Sequence, residues 1–368
     1  MKLLKYLFLL FVLALFATAV FIATLKGEFD VERSIVINSP RATVFSYVND
    51  FRNWETFGSW KKEDPSMSFD YPKNTVGKGG SYSWSGDDNE GEMKTTTVVS
   101  NQFIGQKMNY SGTEAVVSWK FKDTIGGTKV TWKAKGVMNF GLKVNTIFSG
   151  GASQVFGSMY EKSLANLGKT IDYEMRTYKI KVNGSTKKSG TFYVSQTITS
   201  KISNVPNNLR ILIPRMTNFF AKSKLVMYGK PFVIYHQYDL ANDFTKLSVC
   251  IPIKEEIHIQ AGSDMSSGLL LPFSSVKTTL IGDYSHNKEA VEKTIEYIKR
   301  NNLSQNTDVP RIEVYTRNMV HVANPSQWIT EIYLPVKAVA TPIPALKTNV
   351  TATVNLPTPA TSEPAIAD

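Results

Sequence analysis

Residues 31–54 read VERSIVINSPRATVFSYVNDFRNW, and this stretch decides the fold of the first half of the chain. VERSIVIN, residues 31–38, alternates as a β-strand does. Ser39-Pro40 then predicts the start of a helix, with Ser39 as the N-cap and Pro40 at the first helical position. The apolar face of this helix is formed by four residues: Ala42, Val44, Phe45 and Val48. The stretch therefore predicts a strand that leads directly into a short helix.

The residues that follow predict a second short helix, a series of antiparallel strands and one long helix. The short helix covers 53–60, and turn signals at 87–89 and 125–127 separate β-rich segments. Six strands are predicted: 67–71, 80–85, 91–100, 106–112, 115–122 and 129–138. Apolar residues at helical spacing predict the long helix over 152–173. This order predicts an α+β domain over residues 28–175.

The same residues carry a family resemblance. Residues 31–40, residues 44–50 and Asn53-Trp54 resemble the opening of the START-like superfamily, in its polyketide cyclase/dehydrase and lipid-transport branch. The resemblance implies a curved sheet around the long C-terminal helix, with an apolar cavity between them. It implies that five aromatic residues contact a ligand: Trp54, Trp84, Trp119, Phe156 and Tyr160. The alternative is that these side chains only form the core, as apolar stripes usually do.

Upstream of this domain, residues 1–27 predict a membrane segment. Tyr6 to Leu25 contains no charged residue, and 20 residues of helix span a hydrocarbon core of about 30 Å. Lys2 and Lys5 precede the run, which favours a single-pass protein with a cytoplasmic N-terminus and exported domains. A cleaved signal peptide is the alternative, because Ala17-Thr18-Ala19 suits signal peptidase. Both hypotheses place the rest of the chain on the exported side.

Composition narrows the function classes. The chain has 368 residues, which is long enough for two domains of ordinary size. Its net charge is +11, and 42% of its residues are hydrophobic. The lysines are scattered and no helix-turn-helix or zinc-finger pattern occurs, so no nucleic-acid partner is predicted. The single Cys250 excludes an internal disulfide, and the four histidines lack metal-ligand spacing, so neither metal nor cofactor is predicted. The Ala/Thr/Pro-rich tail, 338–368, predicts disorder.

A second domain over residues 191–337, after a polar strand-and-turn linker at 176–190, contains an internal repeat. Each half has an apolar helix, at 215–225 and at 288–301. Each helix is followed by a proline and a short apolar strand that ends in tyrosine, Pro231 to Tyr235 and Pro310 to Tyr315. A period near 80 residues predicts two copies of a strand-helix-strand-strand unit around a pseudo-two-fold axis, with a cleft between them.

The second half of this repeat resembles the gyrase-inhibitor-like, or AraC-type effector-binding, family. The resemblance rests on Ile-Glu-Val-Tyr at 312–315 and on Trp-Ile-Thr-Glu-Ile-Tyr-Leu-Pro-Val-Lys at 328–337. It implies a cleft that binds amphipathic, often cationic, compounds through an acidic side chain and aromatic residues. The residues implied for this role are Glu331 and Glu313 as acids, with Tyr315, Trp328 and Tyr333 as aromatic walls.

Strand periodicity gives separate support for part of this set. Glu331 and Tyr333 point to one face of their strand, and the apolar residues 330, 332 and 334 point to the other, which should face the helices. Glu331 and Tyr333 are thereby predicted to face the cleft. The alternative is that Glu331 is an exposed strand charge.

These observations predict a membrane-anchored protein that binds a lipid or an amphipathic small molecule through two exported modules, as a carrier or a sensor. An enzyme of the cyclase, dehydrase or hydrolase type is the first alternative. In it, Glu331 or Glu313 would act as a general base, with Tyr315 or Tyr333 orienting the substrate. A scaffold that docks an envelope partner protein is the second alternative.

Overall fold

A computed structural model describes residues 2–87, 89–259 and 263–337 of the chain. The tail at 338–368, predicted to be disordered, and Asp88 in the predicted turn lie outside the described residues. The chain begins with helix α1, Lys2–Thr24, which is long and apolar enough to cross a membrane. It is exposed along almost its whole length, with Ile22 as the exception.

The first domain has the predicted order of elements. Helices α2 (Arg41–Val48), α3 (Trp54–Phe57) and α4 (Trp60–Glu63) follow the first strand, and α5 (Phe140–Ile147) and α6 (Ala152–Arg176) follow the last. The seven strands are β1 (Glu28–Ile37), β2 (Ser68–Asp70), β3 (Ser81–Ser85), β4 (Glu90–Val99), β5 (Phe103–Tyr110), β6 (Thr113–Thr124) and β7 (Gly127–Val137). They form an antiparallel sheet in the order β1-β7-β6-β5-β4-β3-β2, and α6 packs against β1.

Two details of this domain differ from the sequence prediction. Helix α2 begins at Arg41, and the Ser39 hydroxyl is buried without a partner, so the predicted Ser39 cap is wrong. The backbone carbonyl of Pro40 accepts instead from Thr43 and Val44. Helix α5 was not predicted, although Phe140, Val144 and Ile147 recur at helical spacing in the sequence.

The second domain is an antiparallel sheet of eight strands with helices α7 (Val205–Lys222) and α8 (Asn287–Arg300). The strands are β8 (Lys179–Lys188), β9 (Thr191–Ser200), β10 (Phe232–Asp239), β11 (Phe244–Ile253), β12 (Ser266–Leu270), β13 (Phe273–Ile281), β14 (Arg311–Arg317) and β15 (Ile329–Pro335). Their order is β12-β9-β11-β10-β14-β15-β13-β8. The two copies of the repeat are β9-α7-β10-β11 and β13-α8-β14-β15. Corresponding strands of the two copies occupy symmetry-related positions among the inner six strands of the sheet. The pseudo-two-fold axis therefore passes between β10 and β14.

Two segments of the second domain differ from the prediction. Most of the strand-and-turn linker predicted at 176–190 is the strand β8, and this strand pairs with β13 at one edge of the sheet, which was not predicted. Helix α7 starts at Val205, ten residues before its predicted start at residue 215, and Pro214 therefore lies inside the helix. Proline removes one helical hydrogen bond. Burial of Leu209, Ile213, Met216 and Phe220 on one face of α7 outweighs that loss.

The end of α6 contacts the second domain through Glu174, which is buried. Its carboxylate accepts a hydrogen bond from the Asn324 amide at 2.9 Å, and two more from the backbone N–H and the hydroxyl of Ser326. The loop that carries Asn324 and Ser326 leads into β15. A buried carboxylate is stable only with such partners, so this contact joins the two domains. The exact domain boundaries remain a prediction.

Candidate functional site

The interior of the first domain is packed with aromatic rings. Trp132 stacks on Trp119 at 4.2 Å between ring centroids and on Tyr160 at 4.1 Å, and Trp54 meets Trp132 edge-on. Of the five predicted contact residues, Trp119 belongs to this stack and Phe156 packs on Phe29. Neither of these two lines the cavity that the other three share.

The other three predicted residues, Trp54, Trp84 and Tyr160, do line a cavity, but its volume is only about 60 Å³. Pockets that hold drug-sized molecules measure roughly 300–1,000 Å³, and one water takes up about 30 Å³. The remaining lining residues are aromatic or aliphatic: Trp60, Met67, Tyr82, Met93, Met108, Tyr110, Val117, Trp132 and Met159. The indole N–H groups of Trp60 and Trp132 have no hydrogen-bond acceptor. In this conformation this cavity has room for little more than water.

The two predicted acids of the second domain lie on opposite faces of its sheet. In the β14–β15 register, Glu313 is directly opposite Ile332, whereas Glu331 is directly opposite Val314. Neighbouring residues of a strand point to opposite faces. Ile332 packs in the core under α8, so Glu313 lies on the face that the helices cover. The sequence had placed both acids in one cleft, and the structure separates them.

Glu331 lies on the face away from the helices and is paired there. The Lys277 ammonium donates to one of its oxygens at 2.7 Å, and the Tyr333 hydroxyl donates to the other at 2.7 Å. Lys188 lies 5.5 Å from the centroid of the Tyr333 ring, and burial lowers the pKa of this lysine. Glu331 and Tyr333 lie on the face away from the helices, as strand periodicity predicts, and two cations already stand beside this carboxylate and its tyrosine. That this face turns to a cleft stays a prediction.

Glu313 is completely buried and is held by three donors. The hydroxyls of Tyr235 and Tyr315 donate to Oε2 at 2.9 and 2.7 Å, and the Asn287 amide donates to the same oxygen at 2.8 Å. Burial, reinforced by the Glu313 charge, raises the pKa of both tyrosines, so both stay protonated as donors. Trp328 lies further along the same core, where its ring packs against Tyr284 at 4.7 Å.

A cation of the chain itself occupies the aromatic faces beside Glu313. The Arg311 guanidinium carbon lies 3.9 Å from the Tyr235 ring centroid and 4.5 Å from that of Tyr238. Its Nε lies 3.4 Å from Glu313 Oε1, close enough for charge attraction but without hydrogen-bond geometry. Burial lowers the pKa of Arg311, but attraction to Glu313 outweighs this and raises it. The acid, the rings and the arginine thus form a neutral cluster, in which charge and ring quadrupole both hold the guanidinium.

Two adjacent pockets open at this cluster. One has a volume of about 220 Å³ and lies against the start of α7 and of α8, where Glu313, Asn287 and Tyr284 line it. The other has a volume of about 540 Å³. Both are lined by five shared residues: Tyr235, Tyr238, Lys288, Val291 and Arg311. Together they reach the size of a small-molecule site.

Several buried polar atoms of this cluster have no hydrogen-bond partner. They are Glu313 Oε1, Arg311 Nε, Asn287 Oδ1 and the Tyr284 hydroxyl. A buried polar group without a partner costs about 1–3 kcal/mol, and most such groups in proteins are satisfied by protein or water. Their concentration at one pocket shows that the site has hydrogen-bonding capacity that a ligand or water would fill.

Five residues of this cluster were not predicted: Tyr235, Tyr238, Tyr284, Asn287 and Arg311. Two of them carry a sequence signal. Arg311 stands two residues before Glu313 in one strand, and this spacing puts both side chains on one face. Tyr235 ends the first copy of the repeated strand as Tyr315 ends the second. For the other three, no pattern in the sequence indicates the contact.

Comparison with protein families confirms the two resemblances in order. Residues 28–172 match the family described as polyketide cyclase/dehydrase and lipid transport. Residues 194–337 match the GyrI-like small molecule binding domain. No curated protein matches the chain.

Similar solved structures include a complex of EcmrR with DNA, a C-terminal domain of EcmrR and the protein CV1439 from Chromobacterium violaceum. They are 14%, 13% and 12% identical to this chain, with TM-scores of 0.38, 0.36 and 0.31. The matches cover 54%, 44% and 38% of this chain and 70%, 99% and 96% of those chains. Similarities this low carry no conclusion about function.

Proposed function

We propose that this chain is a membrane-anchored ligand-binding protein, because residues 28–172 match a polyketide cyclase/dehydrase and lipid-transport family and residues 194–337 match a small-molecule binding domain. Helix α1 would anchor it, with the N-terminus in the cytoplasm and both domains exported. The ligand would be an amphipathic small molecule or a lipid, bound at Glu313. The protein would act as a carrier or a sensor.

The observation that carries this proposal is the incomplete hydrogen bonding of the buried Glu313 cluster. Three donors converge on Glu313 Oε2, whereas Oε1 and the neighbouring Asn287 Oδ1 have none, and both residues line the 220 Å³ pocket. A ligand with a hydrogen-bond donor would satisfy these oxygens. Its apolar part would lie along Val291 and Ile295, which line the larger pocket.

The pocket's own charges restrict the head group of that ligand. The Arg311 guanidinium already covers the faces of Tyr235 and Tyr238 and is paired in charge with Glu313. A lipophilic cation would have to displace it. We therefore propose a ligand that donates a hydrogen bond without carrying a permanent positive charge, such as an amphiphile with hydroxyl or amide groups.

The test is native mass spectrometry of the full chain, purified from its own host in lipid nanodiscs, with extraction of bound compounds. We expect a stoichiometric amphiphile that is lost in Glu313→Gln. Glu331→Gln is the matched control, because it makes the same change on the next strand but on the opposite face. It should keep the compound.

Three other outcomes would contradict parts of the proposal. Loss of the compound in Glu331→Gln but not in Glu313→Gln would move the site to the other face of the sheet. Retention in both variants would point to the first domain. An empty protein that also takes up no compound from a panel of neutral and cationic amphiphiles would contradict ligand binding and favour a scaffold.

A further inference from the structure

Helix α5 presents an apolar face that nothing among the described residues covers. Phe140, Val144 and Ile147 recur at helical spacing, and Phe148 follows directly. Phe140 is 48% exposed, Ile147 is 37% exposed and Phe148 is 78% exposed. Burying such side chains is favourable by about 1.5–3 kcal/mol each, so a contiguous exposed group indicates a contact surface.

This face lies beside the last turn of α1. The Lys143 ammonium of α5 donates to the backbone carbonyls of Ala23 at 3.4 Å and of Leu25 at 2.7 Å. These carbonyls are at the end of a helix, where they lack helical partners. Ile22, the one well-buried apolar residue of α1 whose burial is described, is in the same last turn.

The connection between α1 and the first domain is too short to let α5 move away. Three residues, 25–27, separate α1 from β1, and the Gly27 carbonyl accepts from the backbone N–H of Met138 at 2.8 Å. Asn139 then caps α5 by accepting from the Leu142 backbone N–H at 2.9 Å. The end of α1 and the start of α5 are therefore fixed to each other by the backbone.

The length of α1 sets the depth of α5. The apolar segment Leu3–Thr24 has 22 residues. At about 1.5 Å per residue this gives about 33 Å, close to the hydrocarbon thickness of roughly 30 Å. A segment that is bonded to the last turn of such a helix lies at the boundary between acyl chains and headgroups. Aromatic side chains and lysines with long stems are favoured at that boundary.

We propose that α5 is an interfacial helix, which inserts Phe140, Ile147 and Phe148 into the outer leaflet beside the end of α1. This rests on the anchor role of α1 in the proposed function. The occupant is the bilayer, because the surface continues directly from a span that the bilayer would already cover. Leu142 and Met138 pack against the core of the first domain from the other side. The first domain would then rest on the membrane with a fixed orientation.

The experiment places a fluorescent label at Phe148→Cys in the full chain, reconstituted into phosphatidylcholine vesicles. The only native cysteine, Cys250, is fully buried, and the unlabelled parent chain measures any labelling there. Ile125→Cys is the matched control. It is a fully exposed apolar residue at the turn between β6 and β7. It lies just before the start of β7, whereas α5 follows the end of this strand, and the 11 residues of β7 span about 34 Å.

Nitroxide-bearing lipids should quench the label at Phe148→Cys several-fold more than the label at Ile125→Cys. Equal quenching at both positions, in a chain that floats with the vesicles after an alkaline wash, would overturn the interfacial helix and leave the anchor intact. A label at Phe148→Cys that is shielded from both lipid and aqueous quenchers would also overturn it, in favour of a protein contact. A chain that does not float would overturn the anchor, and with it this inference.

Discussion

The two domains fill their interiors in different ways. In the first, Trp119, Trp132 and Tyr160 stack at about van der Waals distance and leave about 60 Å³. In the second, the buried Glu313 and Arg311 face pockets of about 220 and 540 Å³ and keep unpartnered polar atoms. In a filled apolar core, the burial of each ring stabilises the folded state. In a polar cavity, unpaired buried groups destabilise the folded state, and a ligand that bonds to them removes that cost. On this difference in interior volume we base the proposal that the second domain holds the ligand.

The largest effect expected is from the fully buried ion pair between Arg210 and Asp283 in the second domain. The Arg210 guanidinium bonds both Asp283 oxygens, at 2.6 and 2.5 Å, and neither side chain is more than 1% exposed. Asp283→Ala leaves a buried cation unpaired, so we expect a loss of about 3–5 kcal/mol. Chemical denaturation followed by a second-domain probe would measure it.

The control for this prediction is Glu296→Ala, which removes the exposed partner of Arg300 in the same domain. Exposed pairs contribute about 0–1 kcal/mol. If both substitutions had similar small effects, charge burial would not be what distinguishes the second domain.

Trp132→Ala should cost the first domain about 3–5 kcal/mol, because it removes the central ring of the stack. It should also enlarge the 60 Å³ cavity and allow binding of a small apolar dye, as emptied apolar cavities do. Urea unfolding and dye fluorescence are the two measurements. Val116→Ala, at an exposed position of the same sheet, is the control. A folded Trp132→Ala protein that binds no dye would show that the core collapses around the void.

The Glu313–Arg311 pair should behave as a unit. Glu313→Gln leaves the buried guanidinium without its counter-charge, and we expect a loss of about 1–3 kcal/mol. Arg311→Gln removes the cation from the tyrosine faces, and this variant should gain binding of lipophilic cations. The double variant should lose less than the sum of the two, with a coupling energy of about 0.5–3 kcal/mol. Additive losses in denaturation experiments would contradict the neutral cluster.

Local periodicity predicted those parts of this molecule that depend on one segment. The strand and helix order of the first domain, the duplicated unit and the face of Glu331 and Tyr333 all follow from patterns within a few residues. A strand was predicted within the linker at 176–190, but its place in the sheet of the second domain was not, because a polar edge strand has no apolar face that indicates its partner. Its pairing with β13, some 90 residues away, has no local signal.

The candidate site could not be predicted from single segments, because it depends on how separate segments pack against one another. Glu313 and Glu331 lie on opposite faces of the sheet because of the register between β14 and β15. That Asn287 reaches Glu313 depends on where α8 starts over the sheet. The filling of the first domain's cavity depends on side-chain packing, since Trp119 and Tyr160 would suit either a core or a pocket wall. In both domains the residue types were predicted but their spatial grouping was not.

The smallest effect expected is from Glu331, the acid on the other face. Its pair with Lys277 is about one-quarter exposed on both sides, so Glu331→Gln should cost less than about 1 kcal/mol. The Tyr333 hydroxyl can still donate to the new amide oxygen. Because partly exposed charges are screened by salt, the difference from the parent protein should shrink further at 1 M NaCl, where the Debye length is about 3 Å. Denaturation at low and high salt measures both effects. A loss equal to that of Glu313→Gln, unchanged by salt, would mean that the two faces of the sheet do not differ in how they hold charge.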